Sequence, residues 1–451
     1  MLVLRYLRTR QTRDGNTAIP SQSVLHLSFL TGMLERLNRM KTNSNKELSL
    51  KLNMIWNSFG SLTYLGCQWL ITVLVVRLTN SYDVAGTLSL AMSVYNTFAS
   101  LAIYRMYTYQ VSDIQHENSV GEYFTFRILT CFGALICIVC YSIATCDPGA
   151  LTAIIAYAVY KITSLLIDVL HGLDQQNRRM DIVGKSLVMQ GVLSLLIFCI
   201  AQRLLDNLVI TLVLMTAGIA IIGIGFDLPR SSQFETMKIG ISRQKACYLL
   251  RYCFPIVVGA VACGAAPSLP RQILSNIEGT TALGIYASVA APVTIIQMGA
   301  SYIYNPLLGY FSEAKAEKDL RRLTTLLIKA SAGIAALGLI AAAVLGFIGE
   351  PLLTLMYGSS IAPYTYLLLP AIACSMITAY VWFLNDVLVA LRQFSGSFIG
   401  NICAAILSIP AAYALIPIFG MNGVSFANIA SYSISALVML IALISALRKP
   451  S

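Results

Sequence analysis

IDVLHGLDQ, residues 167–175, returns as NDVLVALRQ, residues 385–393, with five of nine positions identical and a sixth, Gly172 against Ala390, small in both. Each copy closes an apolar run, the fourth and the tenth of twelve. A second echo lies earlier in each half of the chain. VVRLTNSYDVAGTLSLA, residues 75–91, matches LPRQILSNIEGTTALGIYAS, residues 269–288: an Arg at the end of one run, a short polar loop, then a Gly opening the next. Both matches fall at the same place in the order of runs. Six is an even number of crossings, so the two copies share one orientation and are parallel repeats about an axis along the membrane normal. A path between them is the natural consequence.

The runs lie near 53–76, 84–104, 123–145, 150–171, 182–202 and 207–228, then 248–270, 282–306, 324–348, 363–391, 395–416 and 422–447. Each is about as long as a helix needs to cross a bilayer. Of the 451 residues 57% are hydrophobic and 11% charged, against roughly a quarter charged in soluble domains. The chain therefore reads as an all-α polytopic membrane protein of about 12 transmembrane helices. Its expected organisation is a cytoplasmic tail (1–50), a six-helix bundle (51–228), a cytoplasmic linker (229–247) and a second six-helix bundle (248–451). The tail is polar and basic, with neither a signal peptide nor a spanning helix. Residues 1–39 read as an extension from an upstream start, Met40 opening a natural short tail, or else as holding an interfacial amphipathic helix near 25–37.

The net charge of +11 reports topology before it reports a ligand. Some 27 Lys and Arg fall on one side of this scheme, three (Arg77, Arg203 and Arg271) on the other, and Lys161 within a helix. The positive-inside rule then puts both termini in the cytoplasm, and no nucleic-acid partner is expected. The 11 cysteines sit mostly inside apolar runs, and the one CxxC pair, Cys137 and Cys140, is mid-helix without a second ligand pair, so neither metal nor disulfide is expected.

Polar groups inside a bilayer are costly, which makes the fourth run informative. Tyr157, Lys161, Ser164, Asp168 and His171 recur at alternating steps of four and three, on one helical face. Lys161 is about 16 Å from the outer end of its helix, near mid-bilayer. It either lines a water-filled cavity with Tyr157 and Ser164 and attracts an anionic group, or makes an interhelical pair. Asp168, about 10 Å further along the axis, is too far to be that partner directly. Asp168 and Asp386 hold equivalent repeat positions, where they bind a coupling proton or cation or else fasten helix ends; Asn385 and Gln393 share the ambiguity. Arg77 and Arg271 facing each other across a cleft would suit a phosphate or pyrophosphate, and at the interface they would meet headgroups. Pro255, Pro267 and Pro270 in the seventh run, with Pro292 and Pro306 in the eighth, are expected to bend their helices. There is no GxxxxGK[ST] loop, and the three histidines, His26, His116 and His171, are far apart in sequence. No enzyme and no cofactor are expected.

GEPLLTLMYGSSIAPY (349–364), LGIYASVAAPVTIIQMGASYIYNPLL (283–308) and YALIPIFGMNGVSFANIASY (413–432) together resemble the polysaccharide-flippase (Wzx-type) branch of the multidrug/oligosaccharidyl-lipid/polysaccharide (MOP) exporter superfamily. The resemblance spans residues 50–449. It implies two bundles forming a V, as in MATE transporters, that open alternately to move undecaprenyl-pyrophosphate-linked oligosaccharide across the bacterial cytoplasmic membrane. It also implies ion-gradient coupling, and a polymerase and glycosyltransferases as partners besides membrane lipid. Lys161, Arg77 and Arg271 take the family's cationic role by position and charge. The run 53–76 departs from some relatives in having no charged residue. A multidrug cation antiporter would want deep acids, and a lipid II flippase usually carries two further helices. A membrane scaffold of polysaccharide assembly would leave the deep polar groups without a transport role.

Overall fold

A computed structural model describes residues 49–448 apart from 114, 116 and 318. The readings made of the tail, including the start at Met40 and the helix near 25–37, lie outside the described residues, as do His26 and His116. The described residues from Leu50 onward form one compact unit, and among the described residues there is no strand.

The first six spans are α1 (Leu50–Thr79), α2 (Tyr82–Ile103), α3 (Val120–Thr145), α4 (Leu151–Gln176), α5 (Met180–Leu205) and α6 (Leu208–Ile222). The last continues through a π turn, Gly223–Asp227, into Leu228–Ser231. A short helix, Met106–Ser112, joins α2 to α3. The helix Arg243–Ala290 is two spans run together, because Gly279 breaks it at φ 89°, ψ 169°, a backbone region that side chains resist. We call 243–278 α7 and 280–290 the start of α8, which resumes as Thr294–Tyr304 and Leu308–Ala316. Then come α9 (Leu320–Tyr357), α10 (Leu368–Ala390), α11 (Phe394–Phe419) and α12 (Asn422–Arg448). Among the described residues ten helices are long and apolar enough to cross a membrane. The bent helix counts once among them and α2 not at all, so about twelve crossings result.

The helices outrun the apolar periods because polar residues start them. Ser119 and Glu122 form a reciprocal cap at the head of α3, with Ser119 Oγ accepting from Glu122 N at 3.2 Å and Glu122 Oε2 from Ser119 N at 2.9 Å. Such a box satisfies two otherwise orphaned donors, and it draws Arg127 two turns into the helix. Likewise α1 begins and ends on charged turns, enclosing Lys51 and Arg77. The prolines split between two outcomes. Pro255, Pro267 and Pro270 lie inside α7 without any non-helical residue beside them, the break falling at Gly279 instead. Pro292 and Pro306 do interrupt α8, at the turn 291–293 and the 3-10 turn Asn305–Leu307.

Within the first six spans α1 packs along α5, and α4 lies among α2, α3 and α6. Within the last six α12 packs on α10 and α11, while α8 and α9 flank α10. The two sets meet unevenly. On one flank α2 is pressed against α7 and α8 along its length. A Cβ on Gly86 would sit 1.7 Å from Thr280 O, and one on Gly284 1.9 Å from Tyr82 O, so only glycine allows these backbones to touch. Further along that seam Gln272 Nε2 donates to Thr97 Oγ1 (3.0 Å), and Tyr104 OH donates to Leu250 O (2.9 Å). On the other flank α1 has no packed seam with α8; Trp69 Nε1 donates to Ala291 O at 3.0 Å.

Candidate functional site

Lys161 is half-buried near the middle of α4. Its Nζ donates to Gln68 Oε1 at 3.1 Å and to Tyr64 OH at 3.4 Å. These two residues stand one turn apart on α1, so a single helical face presents both. Three tyrosine rings surround the ammonium, with Tyr160, Tyr64 and Tyr157 centroids at 5.3, 5.6 and 5.7 Å. Gln68 Nε2 donates to Tyr160 OH (2.9 Å), which donates to Ser194 Oγ (3.2 Å), and this aims the amide oxygen at Lys161. Among the described residues no carboxylate lies within ion-pair distance of Lys161. Cation–π contacts are worth about 0.5–2 kcal/mol each, so neutral partners offset part of the cost of a deep charge without cancelling the charge. Tyr157 itself is buried, edge-on to Tyr95 at 5.9 Å. Ser164, half-buried, donates to Gln190 Oε1 at 3.0 Å.

Arg271 lies eight residues before the break at Gly279, half-buried, with neither a hydrogen bond nor an ion pair among the described residues. Its charge reaches Tyr286, Cys374 and Tyr432, on α8, α10 and α12. Tyr432 is 2% exposed and Asn428, one turn earlier, 4%. Tyr432 OH and Asn428 Oδ1 have no hydrogen-bond partner. Buried polar atoms are rarely left so. Arg77 is differently placed, two residues from the end of α1. Its Nε donates to Met356 O at 2.9 Å, and its Nη2 to Leu355 O at 2.5 Å and Thr354 O at 3.3 Å. These are the last carbonyls of α9, where a cation is favoured by the helix dipole. The two arginines thus lie at different depths, one committed to backbone and one free.

The repeat-related acids also have unlike surroundings. Asp168 Oδ2 pairs with Arg127 Nη2 at 3.4 Å. Arg127 is fully buried and donates through Nη1 to Ile103 O (2.6 Å) and Ala102 O (3.3 Å), the end of α2. Asp386 meets neutral donors, Tyr304 OH at 3.1 Å and Asn385 Nδ2 at 3.2 Å. Asn385 Oδ1 in turn accepts from Ser397 Oγ (2.5 Å) and Asn401 Nδ2 (3.0 Å). Gln393 stands at the head of α11. Asp168 lies two turns from the end of α4, because that helix runs on to Gln176.

Sequence reading missed Tyr64, Gln68, Arg127, Gln190, Asp227, Asn428 and Tyr432. Arg127 lies near the start of its apolar run, and its depth follows from the cap at Ser119. Asp227 and Gln190 did carry a signal, a charge and an amide within apolar runs.

No known family profile matches the chain. The fold is that of the MOP-superfamily transporters. An inward-facing multidrug-resistance MATE transporter of that superfamily superposes with a TM-score of 0.66 at 13% identity, over 85% of this chain and 96% of that one. An inward-closed conformation of the lipid II flippase MurJ gives 0.68 at 11% identity, over 88% and 89%. Among curated proteins, the capsular polysaccharide biosynthesis protein CapF of Staphylococcus aureus is 21% identical over 367 residues, 79% of this chain and 90% of that one.

Proposed function

We propose that this protein is a flippase of the bacterial cytoplasmic membrane. It moves undecaprenyl-pyrophosphate-linked oligosaccharide repeat units across the bilayer for surface or capsular polysaccharide, by alternating access with ion-gradient coupling. Both termini lie in the cytoplasm. The observation that carries this reading is Lys161, a deep cation held by tyrosines and an amide with no carboxylate beside it. Such a site attracts an anion and repels a cationic drug. Arg271, also unpaired, with the open valences of Asn428 and Tyr432, supplies a second polar station in the last six spans. Arg77 serves here by holding α9 rather than by meeting cargo. The relationship to a capsular polysaccharide protein supports the same cargo class. Of the acids proposed for ion coupling, Asp386, bound by neutral donors, is freer to exchange a cation or proton than Asp168, which Arg127 occupies.

Deleting the gene is expected to accumulate undecaprenyl-linked repeat units on the cytoplasmic face and to abolish surface polymer. Lys161→Ala is expected to cut export by about tenfold or more, the worth of a charge-assisted hydrogen bond, with membrane-inserted protein unchanged. Unchanged polymer together with new sensitivity to cationic drugs would overturn the reading in favour of a multidrug antiporter. Full export by Lys161→Ala would return that lysine to a structural role.

A further inference from the structure

The linker between the two sets of six spans is strapped to the first set. Val120 N donates to Glu235 Oε1 at 3.1 Å, Gly240 N donates to Thr125 Oγ1 at 2.8 Å, and a Cβ on Gly121 would sit 1.8 Å from Lys238 O. In the first turn of α7, Lys245 Nζ pairs with Glu122 Oε1 at 2.9 Å and donates to Glu117 O at 3.1 Å. The cap that starts α3 thus also holds the head of α7. The hold continues toward the other end of the helix. Leu249, Cys253 and Val257 share one buried apolar cluster with Tyr104, Phe126 and Leu173, from the near ends of α2, α3 and α4. Tyr104 OH donates to Leu250 O, and a Cβ on Gly264 would sit 2.6 Å from Asn96 O. Further along, Gln272 donates to Thr97 Oγ1 and accepts from Tyr141 OH at 2.6 Å, and Asn276 Nδ2 donates to Thr145 O at 2.7 Å.

The opposite side of α7 is different in kind. Among the described residues no side-chain hydrogen bond or ion pair joins α7 to α8–α12; those of its side chains that reach another helix all reach the first set. α11 meets α7 through apolar contact, the ring of Phe398 lying 3.1 Å from where a Cβ of Gly259 would stand. The polar atoms near α7 on that side are left open. Tyr432 OH lies within electrostatic reach of Cys263 and Arg271, both of α7, and has no partner; Asn428 Oδ1, one turn away, has none either. The repeat sharpens the contrast. α1, the counterpart of α7, is tied to its own set, with Asn53 bonded to Arg178 O and Met180 N at 2.9 Å each and Gln68 to Tyr160 OH. In a bilayer, lipid is as apolar as the side chains it would replace, so hydrogen bonds between helices do much to fix which helices stay together. We propose that the molecule moves as seven helices against five: α7 travels with α1–α6, Gly279 is the hinge, and the cleft opens between α7 and α8–α12. A glycine at φ 89° is free to absorb the change in direction. A division at the linker, six against six, would instead break every bond that α7 makes. The seven-and-five division puts Arg271 on one wall and Tyr432 with Asn428 on the other, so that their open valences meet water or cargo when the walls separate. It goes beyond the cargo reading, which names what is moved and not which helices part.

Two native cysteines report on the two sides of α7. Cys253, of α7, is buried against the first set, and Cys374, of α10, is buried within reach of the charge of Arg271. Full-length protein in nanodiscs is exposed to N-ethylmaleimide, and the labelled positions are read by peptide mass spectrometry. Cys374 is expected to react at least about tenfold faster than Cys253, since a contact that opens admits the reagent and one that stays shut excludes it. This arm needs no cargo. In the second arm, cysteine pairs are joined by a short reducible bis-thiosulfonate in cells making surface polymer, with Cys137, Cys140 and Cys247 replaced by Ser. Joining Thr97→Cys to Gln272→Cys, α2 to α7, is expected to leave export within about twofold of the unjoined protein, whereas joining Gly259→Cys to Phe398→Cys, α7 to α11, is expected to cut it about tenfold or more until the bridge is reduced. Equal or faster reaction at Cys253, no reaction at either cysteine, export stopped by the first bridge, or export indifferent to the second overturns the proposal and leaves the cargo reading intact. Absence of exported polymer from the unmodified protein refutes the cargo reading, and the labelling ratio then decides the seven-and-five division alone.

Discussion

Arg127 is a single side chain on which three helices depend. It reaches Asp168 on α4 and the terminal carbonyls of α2 from a fully buried place in α3. Its loss takes the donor from two carbonyls of α2 and from Asp168 together, and a hydrogen bond from a charged group is worth about 1.5–3 kcal/mol. Arg127→Met is therefore expected to lower the melting temperature in detergent by several degrees and to reduce the inserted protein. Asp168→Asn, at a side chain 31% exposed, is expected to do less. Equal losses would mean that the ion pair alone matters and that the bonds of Arg127 to α2 contribute nothing. The face that carries Lys161, Asp168 and His171 was legible because helical spacing is local. The partners were not. Gln68, Arg127 and Asp227 come from other helices, and no periodicity says which side of α1, α3 or α6 turns toward α4.

At the scale of elements, the count of spans and most of their centres could be read from apolar runs about as long as a bilayer is thick. Their ends could not, because caps such as Ser119, Ser242 and Asp319 place the first turn several residues into polar sequence. The prolines of α7 sit at helical φ and ψ, with which a proline is compatible, and the break in the chain falls at Gly279. The contact of α1 with α9 gives an element-scale prediction. Arg77→Ala removes three hydrogen bonds from the end of α9, next to Ser360, which pairs with Tyr82 at 3.0 Å. In protein with the exposed Cys137, Cys140 and Cys247 replaced by Ser, Ser360→Cys is expected to react with a bulky maleimide about tenfold faster when Arg77→Ala is added. No acceleration would show that the arginine does not hold this end together.

For the molecule as a whole, repetition in the sequence predicts two related sets of six helices, and nothing in it says that the first six spans and the last six meet so unequally. The α2 flank is closed by touching glycine backbones and by Thr280 Oγ1 donating to Asp83. A pair of cysteines at Asp83 and Thr280, in the same cysteine-replaced protein, is expected to stop transport when oxidised and to restore it on reduction. Transport that persists with the disulfide formed would mean this seam does not part during the cycle. The α1 flank is the opposite case. Between Trp69 and the start of α1 the helix runs about 28 Å with Phe59, Leu62 and Leu65 exposed and no seam to α8. Such a passage is a track open along one side, not a tube. On the cargo reading proposed above, a charged head would ride inside while a long isoprenoid tail trails through the slot into the surrounding lipid, and only the sugar end would need to be dehydrated and sheltered.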